Sequence, residues 1–260
     1  MMIRIMIAVA LCAVMAPLRA EIHCGMHLMY GTPAGADQVL CRTGYVSGYS
    51  YRYKAPLWVA FSITSSSVFS DNKAKRQNDF RVDPELPIDH QSSPKDYDEP
   101  VFDQGHMADS ADIDFTETAN SETFLMSNMV PQIPEMNRAV FGKNGAWGKL
   151  EDYTRSWVKR RHHLYVVAGA IYSNHPSTIG GGVAVPEQLY KIIMDVKTNN
   201  AIAFLIPAND KNSGDRLASY IASIDDIEDV TGLDFFFELD DGLESAIESY
   251  KEESPWPVRN

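Results

Sequence analysis

Three short segments carry side chains that can do chemistry. Asp103-Gln104-Gly105-His106-Met107-Ala108 presents a histidine, whose neutral imidazole can accept a proton near neutral pH. Phe124-Leu125-Met126-Ser127-Asn128-Met129 and, soon after, Met136-Asn137-Arg138 present two amides and a guanidinium. Trp147-Gly148-Lys149-Leu150-Glu151-Asp152-Tyr153-Thr154-Arg155 places a carboxylate and an arginine four residues apart. Amide and carboxylate oxygens are the hard ligands that Mg²⁺-type ions take, and guanidinium groups bind anionic oxygen through paired hydrogen bonds. Singly, each segment also has an ordinary reading. A lone histidine beside glycine is usually a turn or surface residue, Asn137 could cap a helix, and Glu151–Arg155 could be a solvated ion pair of small value.

The elements that must hold these segments are partly visible. Trp147, Leu150, Thr154, Trp157 and Val158 recur at three- and four-residue spacing, which predicts a helix with one buried stripe. Strand-like runs occupy Leu57–Thr64, Leu164–Tyr172, Leu189–Val196 and Ala201–Ile206. The last two are joined by Lys197-Thr198-Asn199-Asn200, a hairpin turn by composition. A second helix is expected from Ser223 to Val230, with Ser223 as N-cap, Asp225 and Asp226 in its first turn and Gly232 near its end. Asp83 to Pro100, with Pro84, Pro87, Pro94 and Pro100, is the stretch expected to be looped or disordered. Helices and strands without regular alternation, and without a Gly-rich phosphate loop, predict an α+β fold.

The 260 residues, 45% apolar and 22% charged, are enough for a sizeable core and exclude a disordered, collagenous or coiled-coil chain. Residues 1–20 read as a signal peptide: Arg4, an apolar run from Ile5 to Ala16, and a cleavage point after Ala20. That apolar run is too short to span a bilayer, so residues 21–260 are expected as a single exported domain with no membrane anchor. Loss of Arg4 and Arg19 takes the formal charge from −12 to −14. Cys12 leaves with the leader, and Cys24 and Cys41 remain as an even pair that would form a disulfide in an oxidising compartment, worth about 3 kcal/mol. A metal site from His23-Cys24-Gly25-Met26-His27 is the rival reading of Cys24.

A formal charge of −12 argues at first against a polyanionic partner. The acidity, however, is concentrated: residues 225–253 hold twelve Asp or Glu against Lys251 alone. Residues 138–161 carry seven Lys or Arg against Glu151 and Asp152, so a locally basic surface remains.

Taken together and in order, the three segments resemble the DNA/RNA non-specific endonucleases of the ββα-metal class, especially secreted bacterial members. The likeness runs from about Tyr45 to Leu243 and includes Arg76-Gln77-Asn78-Asp79-Phe80-Arg81, Val183-Ala184-Val185-Pro186 before Leu189-Tyr190-Lys191, and Ile224-Asp225-Asp226-Ile227-Glu228 before Thr231-Gly232-Leu233. It implies a central, mainly antiparallel sheet flanked by helices. It also implies a secreted or periplasmic, metal-dependent endonuclease that hydrolyses DNA and RNA with little sequence or sugar preference.

The same resemblance distributes roles. His106 matches the general base, Asn137 the direct ligand of one divalent cation (Mg²⁺, or Mn²⁺ or another divalent ion), and Glu151 the acid that holds water on that ion. Arg155 would contact phosphate one helical turn on, Asn128 would support the site, and Arg138 and Arg76 would add positive charge near the substrate. Asp103 would orient its loop rather than perform chemistry. Two departures stand out. Gln104 occupies a position where the family usually has Arg, which leaves open a catalytically weakened nucleic-acid-binding or uptake protein. Ala139–Gly145 reads as an insertion and makes Asn144 a rival to Asn137 for the metal. Lys159-Arg160-Arg161-His162-His163 either lines a nucleic-acid groove or is a basic helix end complementing its dipole.

Overall fold

The structure, a computed structural model, describes residues 24–258; the expected leader lies outside them. Strands β1 (Gln38–Cys41), β2 (Val46–Ser50) and β3 (Ala55–Thr64) lead into the single-turn helix α1 (Ser65–Val68). After a long irregular stretch come β4 (Asp103–His106), α2 (Glu117–Glu122), β5 (Met129–Gln132) and α3 (Pro134–Asn137). The short strands β6 (Ala139–Val140) and β7 (Lys143–Asn144) precede the long helix α4 (Ala146–Arg161). Then follow β8 (His163–Ile171), β9 (Thr178–Ile179), β10 (Val183–Ala184), β11 (Gln188–Asp195), β12 (Asn200–Pro207) and β13 (Ile221–Ala222). Helices α5 (Ile224–Thr231) and α6 (Asp241–Glu248) complete the described elements.

The central sheet has seven strands in the order β1-β2-β3-β8-β11-β12-β13, every neighbouring pair antiparallel. Its inner strands are covered on both faces, which is why β8 and β11 read as nearly unbroken apolar runs rather than alternating ones. On β11, Leu189 and Ile193 join the core under α4, whereas Tyr190, Ile192 and Met194 join the core under α5 and α6. Register decides which side chain meets which layer. The expected strands and hairpin are present, with Asn199 in the left-handed region of the Lys197–Asn200 turn.

Helix α4 buries Trp147, Leu150, Thr154, Trp157 and Val158, the stripe expected from its spacing. Burying Leu150 alone stabilises by about 1.5–3 kcal/mol. The helix ends at His162, which takes a left-handed φ of 71°. Its basic end is occupied locally: Arg161 pairs with Asp195 at 2.9 Å and lies 3.7 Å from the Trp256 ring centroid, and Lys159 lies over Phe69. Helix α5 has the expected Ser223 N-cap, whose hydroxyl accepts from the Asp226 N–H, and ends on Gly232 at φ 68°.

Asp83–Pro100 has little regular structure beyond two 3₁₀ turns, Ile88–His90 and Pro94–Tyr97, yet it is fastened down rather than disordered. Its buried Asp83 accepts from Arg42 at 2.6 Å and from the Ser127 hydroxyl, and Ser92 donates to the Met126 carbonyl. Polar anchoring of this kind is invisible to composition. The insertion Ala139–Gly145 forms the β6–β7 hairpin, with Phe141 and Gly142 in its turn. Cys24 and Cys41 form a disulfide with Cα atoms 5.4 Å apart. That occupies Cys24 and removes it from the rival metal reading; His23 lies outside the described residues.

Candidate active site

The site is assembled by the β4–β5 ribbon, the single turn of α3 and the first half of α4. In the ribbon, Gln104 stands opposite Pro131, Gly105 opposite Val130 and His106 opposite Met129. Gly105 is required by close approach, because a Cβ there would lie 2.3 Å from the Gln132 side chain. Just beyond the ribbon, the buried Asn128 side chain clamps the chain that follows His106. Its Oδ1 accepts from the Ala108 N–H at 2.9 Å, and its Nδ2 donates to the Ala108 and Thr123 carbonyls at 3.0 and 2.8 Å. Asn128 therefore lies behind the cleft, where it sets the backbone.

His106 is 8% exposed and packed edge-on against Phe124 and Phe80, with ring centroids 5.0 and 5.7 Å away. The Trp147 indole N–H donates to the His106 carbonyl at 2.9 Å, tying α4 to the ribbon. The imidazole Nε2 is buried without a hydrogen-bond partner among the described residues. Burial, aided by the nearby Arg76 charge, pushes the His106 pKa down to about 4, against the pull of Asp109 and a hydrogen bond with the Gln104 backbone. The ring is thus neutral at pH 7.

Asn137, on α3, donates from Nδ2 to Asp103 Oδ2 at 3.0 Å, an orientation that leaves its Oδ1 available as a ligand. Arg138 Nε donates to the same carboxylate oxygen at 2.7 Å. Asp103 therefore orients two neighbouring groups. His106, Asn137 and Glu151 line one cleft of about 360 Å³, together with Arg76, Phe80, Asp103, Gln104, Asp109 and Arg138. Arg76 reaches it from a loop, its guanidinium 4.8 Å from the Phe124 ring centroid. Arg81 instead pairs with Asp79 at 2.7 Å, away from the cleft. Asn144 lines a different depression, beside Lys211 and Gly214. Asn137 lines the cleft and Asn144 does not.

Arg155 departs from the expectation of a free phosphate contact. Its guanidinium is bound to Asp109, to Asp112 at 3.2 Å and to Asp152 at 2.8 Å, and it is not among the residues lining the cleft. Sequence spacing placed it correctly one turn after Glu151 but carried no sign of these three carboxylates. Lys191, on β11, is also part of this group: it is 1% exposed, with its ammonium 4.3 Å from the Trp147 ring centroid. Burial and then Asp109 push the Glu151 carboxyl well above its ordinary range, and the same two causes raise Asp112 to about 7. Burial alone would raise Asp109 too, but Arg155 and the Ala111 N–H bring it below its usual value. Burial lowers Lys191, while Glu151, Asp112 and Asp109 oppose the shift. Asp109, Asp112, Trp147 and Lys191 were not legible as site residues. The only available signal was a lysine inside an otherwise apolar strand run.

An oxygen-only ligand set, an unshared amide oxygen and an excess of carboxylate beside it fit a hard divalent cation. Residues 25–242 match the family model for DNA/RNA non-specific endonucleases. A nuclease from Nostoc sp. is 32% identical, with 86% of this chain and 85% of that protein covered. Nuclease C1 from Cunninghamella echinulata is 30% identical over 82% of this chain and 88% of that protein. A chain of the solved EndoG/EndoGI complex superimposes with a TM-score of 0.73 at 27% identity, covering 85% of this chain and 94% of that one.

Proposed function

The chain belongs to the DNA/RNA non-specific endonuclease family, and is therefore a phosphodiester hydrolase acting on nucleic acid; on that premise we propose that His106 is its general base and Asn137 its direct metal ligand. The observation that carries the reading is the convergence of His106, Asn137 and Glu151 on one cleft. His106, held neutral by burial, accepts the proton of the attacking water. Asn137 Oδ1 would hold the cation directly, and Glu151 would hold it through its hydration shell. A Mg²⁺-class ion there would supply charge to offset the phosphate and the leaving oxygen. Arg138 and Arg76 attract and orient the phosphate backbone from the cleft wall, with Gln104 donating a neutral hydrogen bond between them. Arg155 acts indirectly, by fixing the carboxylates behind Glu151.

Residues 21–260 act as one exported domain, secreted or periplasmic. The Cys24–Cys41 disulfide supports this, since such bonds persist in oxidising compartments. No helix among the described residues is long and apolar enough to cross a membrane.

The test is digestion of plasmid DNA and of RNA with Mg²⁺, with Mn²⁺ and with chelator. Cleavage of both substrates, lost on chelation, is expected. Binding without cleavage under every metal would support instead a nucleic-acid-binding or uptake protein on the same fold. Asn137→Ala should raise the Mg²⁺ requirement and Asn144→Ala should not. The reverse result would move the ligand into the insertion.

A further inference from the structure

The opposite face of the sheet carries a second set of acidic groups that cleavage does not use. Residues 225–253 contain twelve Asp or Glu and a single Lys. Helix α5 presents Asp225 and Glu228, α6 presents Glu244 and Glu248, and the segment between them presents Asp234. Carboxylate oxygens of Asp225, Glu228 and Glu248 lie within 4.8 Å of one another, as do those of Asp234, Glu244 and Glu248. Glu248 belongs to both groups. It is only 7% exposed, and its Oε1 is buried with no hydrogen-bond partner among the described residues.

Among the described residues, no cation is paired with this cluster. Lys251, the one cation of the segment, pairs with Asp226 at 2.7 Å, and among the described residues no ion pair includes any of the five carboxylates. A buried, unpaired carboxylate is expensive, and helical neighbours of like charge add to the cost. The arrangement is nonetheless held: Glu228 Oε1 accepts the Phe235 N–H at 2.7 Å, and the left-handed Gly232 turns the chain so that Asp234 faces the helices.

We propose that this α5–α6 carboxylate cluster is a structural divalent-cation site of the calcium class, centred on Glu248 and separate from the catalytic cleft. The ligands are all oxygen, with no His or Cys among them. Ca²⁺ accepts six to eight oxygens at about 2.3–2.6 Å in flexible geometry, so the oxygens around one ion stand no more than roughly 5.2 Å apart, and the oxygens within each group here fall inside that bound. Mg²⁺ demands a tighter octahedron and retains its water, which suits converging carboxylates less well. The physical tension is visible in the carboxyls themselves: burial first, then the neighbouring acids, raises Glu228 to about 7 and Glu248 to about 8. A bound cation would reverse that tendency and pin α6 to α5. The inference does not depend on the nuclease reading.

Thermal unfolding of the full chain in chelator, in CaCl₂ and in MgCl₂ tests it. At about a hundredfold excess over Kd, Ca²⁺ should raise Tm by roughly 5–10 °C, and Mg²⁺ by less. Because a cation in the cleft could also stabilise, the rise should persist in Asn137→Ala. Glu248→Gln should match or exceed the wild-type Tm in chelator, since a repelled buried acid is gone, yet lose most of the Ca²⁺ response. Should that variant fail to fold, Glu244→Gln, on a more exposed ligand, should weaken the response and shift Ca²⁺ titration to higher concentration. Equal wild-type Tm in Ca²⁺ and chelator, or a full Ca²⁺ response in Glu248→Gln, would overturn the proposal and leave Glu248 as a protonated core acid.

Discussion

The two faces of the sheet solve the same electrostatic problem differently. Under α4, Asp109, Asp112 and Glu151 are gathered with Arg155 and Lys191, so the chain itself supplies compensating charge. Under α5 and α6, two groups of three carboxylates meet at Glu248 with no ion-pair partner among the described residues. Compensation on the first face lets carboxylates stay packed behind a cleft whether or not an ion is bound, which a catalytic site needs between turnovers. Its absence on the second face makes the local structure responsive to ions from solution. Burial alone does not distinguish a catalytic carboxylate from a structural one; the neighbouring charges do.

Removing the base breaks the comparison most sharply. His106→Ala should lower cleavage by about 10²–10⁴-fold while leaving the Ca²⁺-dependent Tm rise unchanged. A single-turnover rate near wild type would move the base elsewhere. Removing compensation should show next. Lys191→Met keeps the length of the side chain but strips its charge from among three carboxylates, and should cost about 3–5 kcal/mol in urea unfolding at pH 7. A loss below about 1 kcal/mol would mean that the lysine does not balance them.

A pH profile sharpens the contrast further. Since burial lowers His106 to about 4, the imidazole remains a free base well below its ordinary value of 6.5 and is lost as a base only when protonated near the lower figure. At pH 5.5, kcat/KM should stay within about twofold of its value at pH 7.5, where an ordinary histidine would have lost about tenfold. An acid limb centred near 6.5 would contradict the buried neutral base. The smallest effect is expected at Gln104. An arginine on the cleft wall would replace a neutral hydrogen bond by a charged one, a difference of about 0.5–2 kcal/mol. Gln104→Arg should therefore leave the rate similar or raise it by up to roughly 30-fold, with the larger gain at high salt. A clear fall with folding intact would mean that the pocket is built around the amide.

Much of this is legible in the sequence. The stripe from Trp147 to Val158 identified α4 because helical period and burial are local consequences of spacing. The Ser223 cap and the Lys197–Asn200 turn were legible for the same reason: caps and tight turns are made by residues adjacent in sequence. The ordered motifs around His106, Asn137 and Glu151 pointed to one chemistry together, although none did so alone. Asp83–Pro100 was less transparent, since its order comes from Arg42, Ser127 and Met126, which are distant along the chain.

Apolar periods, turn and cap positions, the cysteine pair and the residue types available for hydrolysis are all local properties of the chain, legible in its order of residues. Tertiary structure alone decided that Asn137 and not Asn144 shares the cleft with His106, and that Arg155 turns toward Asp109 and Asp112. It also set Lys191 against Trp147 on one face of β11 and drew Glu248 to within 4.8 Å of carboxylate oxygens of Asp225, Glu228, Asp234 and Glu244 across the other. The physical reason is range: backbone propensity and periodicity act over a few residues, whereas burial, charge pairing and pKa depend on which distant side chains the sheet register brings within a few ångströms.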